Sequence, residues 1–130
     1  MPIRDDRPGS LRTESVELPH GKGAARAARA AVDALARDLG EIYQDVRLLV
    51  SELVTAAGEW RPDASGPLVE ISISRALVRV VVRYDDTSVS APGLDQPAIG
   101  QWTHMLLEAL TSSWGSGNGD PCLWFEIARS

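Results

Sequence analysis

The order in which the apolar periodicity changes along the chain constrains its fold more than any other feature. Apolar residues recur at the three- and four-residue spacing of one helix face in residues 24–39, 43–59 and 101–114. They alternate, or run together with many β-branched residues as in strands, in residues 13–18, 68–73, 78–84 and 122–128. The predicted order of elements is therefore β-α-α-β-β-α-β.

This order predicts an α/β (α+β) fold in two layers. A pair of helices followed by a pair of strands favours a mixed, mostly antiparallel sheet with the helices on one face. Loops are predicted where Pro, Gly and Asp cluster, in residues 61–67 and in the longer stretch 87–100. Residues 1–12 are predicted to be a flexible tail and residues 13–130 a single domain.

The balance of charge argues against nucleic acid as the main partner. The 130 residues include 13 Lys and Arg against 18 Asp and Glu, a formal net charge of -5, whereas DNA-binding domains present a clustered basic face. No apolar run reaches the roughly 18 residues that a membrane helix needs. The charged start shows no signal peptide. We therefore expect a cytoplasmic protein that engages neither nucleic acid nor membrane.

The second predicted helix carries a motif that resembles the N-box of small bacterial GHKL ATPases, which are stand-alone anti-sigma-factor serine kinases and their histidine-kinase-like relatives. Residues 51–57 read SELVTAA, which differs at one position from the SELVTNA common in that family. Three other stretches resemble the family's adenine-site strand, its helix after the second glycine box and its closing strand, in the same order: VVVRYDD (80–86), MLLEALTSSWG (105–115) and LWFEI (123–127). The resemblance covers most of residues 13–128 and implies a Bergerat-like sandwich.

The motif departs from the family at the position that binds magnesium. The family's N-box has a Glu that acts as general base and, one helical turn later, an Asn that coordinates Mg²⁺. Glu52 matches the Glu, but Ala56 occupies the Asn position. Alanine has no oxygen to offer a cation that requires near-octahedral oxygen ligands. Glu52 is therefore either a retained catalytic carboxylate or a solvent-exposed helix residue, and the sequence leaves both open.

The first glycine box of the family, an Asp followed two residues later by Gly, is also altered. If Asp85 matches the adenine-binding Asp, Thr87 replaces the Gly, and if Asp86 matches it, Ser88 does. A β-branched residue costs about 1–2 kcal/mol where the backbone must be left-handed. The resemblance thus places Asp85, Asp86 and Thr87 at the nucleotide site, while a polar turn at the end of a strand is the alternative.

The second glycine box, which opens a helix toward the phosphates, is the poorest match. Thr103 falls at the position of its Gly, Trp102 precedes it, and Gly100 is the glycine that remains nearby. Free N–H groups at a helix N-terminus bind anions, so we expect Trp102 and Thr103 to crowd the phosphate position. Trp60 stands where the family often has His, and the alignment predicts that Trp60 and Trp102 line the mouth of the cleft.

Few other residues are candidates for chemistry. His20 and His104 lie far apart in sequence without a catalytic context and are predicted to have surface or packing roles. The one cysteine, Cys122, has no second cysteine or histidine at metal-ligand spacing and is predicted to be a buried small hydrophobe.

Three functions remain open from the sequence. The first is a non-catalytic GHKL-like regulator that binds a protein partner, of the sigma-factor or anti-sigma-antagonist type, and the second is an active ATP-binding kinase. The third is a cleft that has been repurposed for an apolar or aromatic small molecule. The resemblance also implies a homodimer, because an acidic domain with exposed edge strands gains by covering one. Losses at both glycine boxes and at Ala56 favour the first function, with no metal site and no ATP–magnesium bound.

Overall fold

The computed structural model describes residues 10–19, 21–60, 66–83, 100–116 and 122–129. The helices in this part of the chain are α1 Gly23–Asp33, α2 Ala36–Leu39, α3 Tyr43–Trp60 and α4 Gly100–Leu110, with a 3-10 turn at Gly40–Ile42 between α2 and α3. The strands are β1 Ser10–Glu17, β2 Leu68–Ser74, β3 Leu77–Arg83, β4 Ser113–Ser116 and β5 Cys122–Ala128.

The strands form one sheet in the order β1-β2-β3-β5-β4, and every described pair is antiparallel. Side chains alternate between the two faces of each strand, and the burial follows this alternation. One face carries the buried apolar residues of the sheet: Val69, Ile71, Ile73, Val78, Val80, Val82, Leu123, Phe125 and Ile127. The other face carries partly exposed residues such as Glu70, Arg79 and Trp124.

The helices cover the apolar face and close the core against it. Each of the three longer helices contributes apolar side chains to the same buried cluster: Ala28 and Val32 from α1, Leu49, Val50 and Leu53 from α3, and Leu107 from α4. The molecule is thus an α+β sandwich of two layers, which confirms the fold class predicted from the order of the periodicities.

The predicted helix over residues 24–39 is interrupted. α1 ends at Asp33, and the turn that follows is closed by the N–H of Leu35, which donates to the carbonyl of Val32. The interruption places both Leu35 and Leu39 in the core, at 2% and 1% exposure. α2 then ends at Leu39, and the residue that caps it, Gly40, has a φ of 61° in the left-handed region that favours glycine.

The predicted helix over residues 101–114 is wrong in its last turn. α4 ends at Leu110, where the Thr111 hydroxyl donates to the Leu107 carbonyl, a local bond of the kind that competes with helical pairing. Ser112 then donates its N–H to the carbonyl of Glu126. This bond begins the pairing of an unpredicted edge strand, β4, with β5. At the other edge, β1 begins at Ser10 instead of Thr13.

None of the helices in the described residues combines the length and the apolar character needed to cross a membrane.

Candidate functional site

The site implied by the N-box resemblance begins on α3. This helix faces the core with Leu49, Val50 and Leu53, all at 1% exposure or less. Glu52 lies at the border of that apolar face and is partly buried, and Ala56, one turn later, is buried at 3% exposure. The Glu52 carboxylate therefore reaches the surface beside the core, while the Ala56 methyl group is packed within it.

The second part of the site is the beginning of α4. Gly100 starts the helix with a φ of 77°, which favours glycine, and it is exposed. Within the first turn, Thr103 is buried at 5% exposure, whereas Trp102 is 58% exposed. Thr103 therefore packs into the fold and Trp102 is largely exposed, and the expectation that the two residues crowd a phosphate position stays a prediction.

Glu52 and Thr103 bring the two parts together. The Thr103 hydroxyl donates to Oε1 of Glu52 at 3.4 Å, across 51 residues of sequence. This distance is at the long end of hydrogen bonding, so the bond is weak. The contact places a carboxylate beside the first turn of α4, where the positive end of the helix dipole favours negative charge. The Glu52 carboxylate of the same chain thus supplies a negative charge at the N-terminus of α4.

These residues do not fit the magnesium ion that the family resemblance implies. Mg²⁺ takes oxygen ligands in octahedral geometry, but Ala56, at the position of the family's metal-binding Asn, offers none. Within the described ranges, no group of three or more His, Cys, Asp or Glu residues is arranged to hold a metal ion.

The structure does not describe the side chains of the remaining predicted site residues. Asp85, Asp86 and Thr87 lie outside the described residues, as does the alternative Ser88. Trp60 is the last residue of α3, but its side chain is also outside the description. The prediction that Trp60 and Trp102 line one cleft stays a prediction.

Of the exposed apolar residues beside the site, the sequence analysis singled out Trp102 but not Leu48 or Met105. Among the described residues, the large hydrophobic side chains that are exposed are Leu48 on α3, at 38%, and Trp102 and Met105 on α4, at 58% and 59%. Trp102 and Met105 are three residues apart, a spacing that puts both on one side of the helix. The apolar periodicity of α4 indicates its buried face, and it does not distinguish an exposed Trp or Met from one that packs in the core.

A polar cluster at the start of α3 fastens that helix to α1. Asp33 accepts hydrogen bonds from Arg47, whose Nε lies 2.8 Å from its Oδ1, and from the hydroxyl of Tyr43. The bond from Arg47, and then the one from Tyr43, hold the pKa of Asp33 below its ordinary value. The hydrogen bond between Tyr43 and Asp33 in turn raises the pKa of the Tyr43 hydroxyl. These groups fix the helix that carries Glu52 and lie outside the candidate site.

His104 and Cys122 occupy packing positions. The imidazole of His104 meets the Trp114 ring edge-on, with centroids 5.1 Å apart, and Trp114 donates its Nε1–H to Glu108 at 2.9 Å. Cys122 is buried at the start of β5. Neither residue forms part of a catalytic arrangement within the described residues, whereas His20 falls outside them.

Neither the models of known protein families nor the curated protein sequences give a match to this chain.

Proposed function

We propose that this chain is a non-catalytic regulatory domain that binds a protein partner. The resemblance to stand-alone anti-sigma-factor kinases suggests the class of partner, a sigma factor or an antagonist of an anti-sigma factor, and the cytoplasm as the compartment. In this proposal the fold is retained as a scaffold and phosphoryl transfer has been lost.

The observation that carries the proposal is the contact between Glu52 and Thr103. A general base has to reach the proton that it removes, and Oε1 of Glu52 instead faces, at 3.4 Å, the hydroxyl of buried Thr103, the residue that stands at the family's glycine position. One turn away, Ala56 offers no ligand for a metal ion. Phosphoryl transfer depends on metal ions and phosphate contacts for most of its stabilisation. A chain that lacks the metal ligand at Ala56 and has a threonine near the phosphate position is therefore better suited to binding than to catalysis.

The exposed side chains of Leu48, Trp102 and Met105 support a protein partner. Aromatic residues and methionine are enriched at protein–protein interfaces, and exposed apolar patches mark interaction sites. Trp102 and Met105 lie on the same helix as Thr103, so the partner surface adjoins the altered nucleotide site.

Calorimetry with ATP and Mg²⁺ tests whether the catalytic site has been lost. We expect no binding at millimolar nucleotide by the unmodified protein. The double variant Ala56→Asn, Thr103→Gly restores the family's residues at two positions, and thermal unfolding checks that it folds. Thr55→Asn, which adds the same amide at an exposed neighbouring position, is the matched control. Micromolar ATP binding by the unmodified protein would refute the proposal and favour an active kinase.

A binding assay with a panel of purified sigma factors and anti-sigma antagonists tests the partner. We expect at least one to bind, and the double variant Trp102→Ala, Met105→Ala to weaken that binding without lowering the melting temperature. Ala109→Ser, on an exposed position of the same helix, serves as control. Failure of every candidate, together with binding of an aromatic small molecule that depends on Trp102, would instead support a repurposed cleft.

A further inference from the structure

Leu48 lies on the side of α3 that faces α4. Glu52 follows it by four residues and contacts Thr103 of α4, and residues four apart lie on one side of a helix. The side of α3 that faces α1 carries Arg47 instead, whose Nε lies 2.8 Å from Oδ1 of Asp33. Leu48 is 38% exposed, so its side chain borders the line along which α3 and α4 pack together.

Trp102 lies on the side of α4 that is turned away from β4. His104 meets the Trp114 ring of β4 edge-on, and Glu108, four residues later, accepts a hydrogen bond from the same indole. These contacts define the β4 side of the helix, and Trp102 is turned from His104 by about 160°. Trp102 therefore lies toward α3, and Met105, three residues on, lies between that side and solvent. Both are more than half exposed.

The charged residues along this border are acidic. Asp45 precedes Leu48 by three residues and Glu52 follows it by four, so all three lie on the α4 side of α3. Arg47 is the single basic residue of α3, and it pairs with Asp33 on the α1 side. α4 contains no Lys or Arg. We call the resulting set of residues the α3–α4 surface: Asp45, Leu48, Glu52, Trp102 and Met105.

The two helices limit the form of a segment that binds across them. N–H and C=O groups inside a helix bond to each other, so the middle of the α3–α4 surface offers no backbone partners to an extended strand. A strand bound there would bury its own backbone groups without hydrogen bonds, which is unfavourable. A helix bonds its backbone internally, and its side chains can pack between those of two neighbouring helices.

The side chains of the surface limit the sequence of that helix. Leu48, Trp102 and Met105 require apolar residues at the three- and four-residue spacing of one helix face. Asp45 and Glu52 require Lys or Arg beside that face, because like charges brought together across an interface are repelled. A cationic amphipathic helix meets both requirements.

We propose that the partner of this chain presents a cationic amphipathic helix to the α3–α4 surface. Its apolar face contacts Leu48, Trp102 and Met105, and its Lys or Arg residues lie opposite Asp45 and Glu52. This inference rests on the proposed function in one respect, that the chain binds a protein. It adds the form and the charge of the segment that is bound.

Titration of the full chain with designed helical peptides of about 18 residues, or five turns, tests the proposal. The first peptide has a Leu face flanked by Lys, and the second has the same Leu face flanked by Glu. The third has the composition of the first in an order that forms no apolar face. Fluorescence anisotropy of the labelled peptides measures each dissociation constant. We expect the Lys-flanked peptide to bind at least about tenfold more tightly than either of the others, and to weaken as salt is raised.

Variants of the protein locate the binding. We expect Trp102→Ala, Met105→Ala to raise the dissociation constant of the Lys-flanked peptide at least about tenfold, because few anchors carry most of the affinity. Asp45→Lys should weaken that peptide by about threefold to tenfold and strengthen the Glu-flanked one. Glu17→Lys makes the same charge change at an exposed residue of β1, on the face of the sheet away from the helices, and should leave both affinities unchanged.

The same variants separate failure of this inference from failure of the proposed function. A sigma factor or antagonist that binds the unmodified protein and both variants of the α3–α4 surface equally well leaves the regulatory function standing and overturns the helix proposal. Absence of peptide binding, or a preference for the Glu-flanked or faceless peptide, also overturns it. Self-association that Trp102→Ala, Met105→Ala abolishes would assign the surface to a second copy of the chain and would likewise overturn it. Binding of the Lys-flanked peptide with the expected dependence on Asp45, while no candidate partner binds, supports the helix proposal and counts against the named class of partner.

Discussion

The indole of Trp124 lies across Gly115 so closely that a Cβ at position 115 would stand 3.0 Å from its Cζ2 atom. The two residues face each other across β4 and β5. The same indole receives the guanidinium of Arg79, whose Cζ lies 4.8 Å from the ring centroid. Arg79 in turn donates to Glu126 at 2.6 Å. Because Gly115 has no side chain, the Trp124 ring can lie against β4 and contact Arg79 on the face of the sheet away from the helices.

Gly115→Val should destabilise the protein by about 1–2 kcal/mol, because the indole has to move away and loses its contact with Arg79. Urea unfolding followed by circular dichroism measures the change. Gly23→Ala is the control, since its Cβ would meet only Pro19 Cγ at an ordinary 3.6 Å, and we expect it to be neutral or slightly stabilising. Equal stabilities for Gly115→Val and the unmodified protein would mean that the indole position carries no energetic weight.

Phe125→Ala should cost about 3–5 kcal/mol, the usual range for removing a fully buried phenyl ring. Phe125 has 0% exposure and is the largest of the fully buried side chains in the described core. Its strand is paired on both sides, so the cavity has little freedom to collapse. Leu48→Ala, at a position that is 38% exposed, should cost far less in the same denaturation assay.

Asp33→Asn should remove part of the acid sensitivity of the fold. The pKa of Asp33 is lowered from its ordinary 3.8, chiefly by the bond from Arg47 and then by that from Tyr43. A lowered folded-state pKa gives stability that is present above pH 3.8 and is lost as the pH falls through the folded value. The gap in melting temperature between the unmodified protein and Asp33→Asn should therefore be widest near neutral pH and should narrow in acid.

Asp45→Asn provides the comparison for that experiment. Asp45 lies on the same helix as Arg47, and it forms no hydrogen bond or ion pair with another described side chain. This variant removes one carboxylate from α3 and leaves the bonds of Asp33 to Arg47 and Tyr43 in place. If the two variants behave alike between neutral pH and acid, the bonds of Asp33 do not account for the acid response.

Thr103→Val should destabilise the protein by about 0.5–1 kcal/mol, because it keeps the shape of the side chain but deprives the partly buried Glu52 of a donor. The long distance of 3.4 Å places the effect at the lower end for a hydrogen bond. Thr55→Val is the matched control, since among the described residues the Thr55 hydroxyl bonds to the Ser51 carbonyl of its own helix, on an exposed face. A cost at Thr103 no greater than that at Thr55 would show that the contact joining α3 and α4 is negligible.

Periodicity was sufficient to predict the parts of this fold that bury a continuous apolar face. α3, β2, β3 and β5 were found within one or two residues, because Leu49, Val80 and Phe125 and their neighbours repeat at helical or strand spacing. β4 was missed because its four residues carry no such pattern. β4 forms because its backbone, beginning with the N–H of Ser112, pairs with β5. Pairing between residues distant in sequence cannot be detected from the pattern of neighbouring residues.

The candidate site was predictable only in part. The N-box motif placed Glu52 and Ala56 on one helix, as found. The partner of Glu52 was not predictable, since Thr103 is 51 positions away and a threonine early in a helix has many possible roles. The exposure of Trp102 follows from helix geometry, since a residue next to a buried one on a helix is turned by about 100° from it, and Trp102 precedes the buried Thr103.

The position of β5 between β3 and β4 has a consequence for how the protein is made. A nascent chain that has not yet released residues 122–128 from the ribosome holds β3 as a bare edge, with the run Val80-Val81-Val82 open to other chains. Such apolar β-branched edges are hazards for aggregation. The edge of β3 is therefore covered only after residues 122–128 have been synthesised, so a folding intermediate that lacks β5 exposes an aggregation-prone strand.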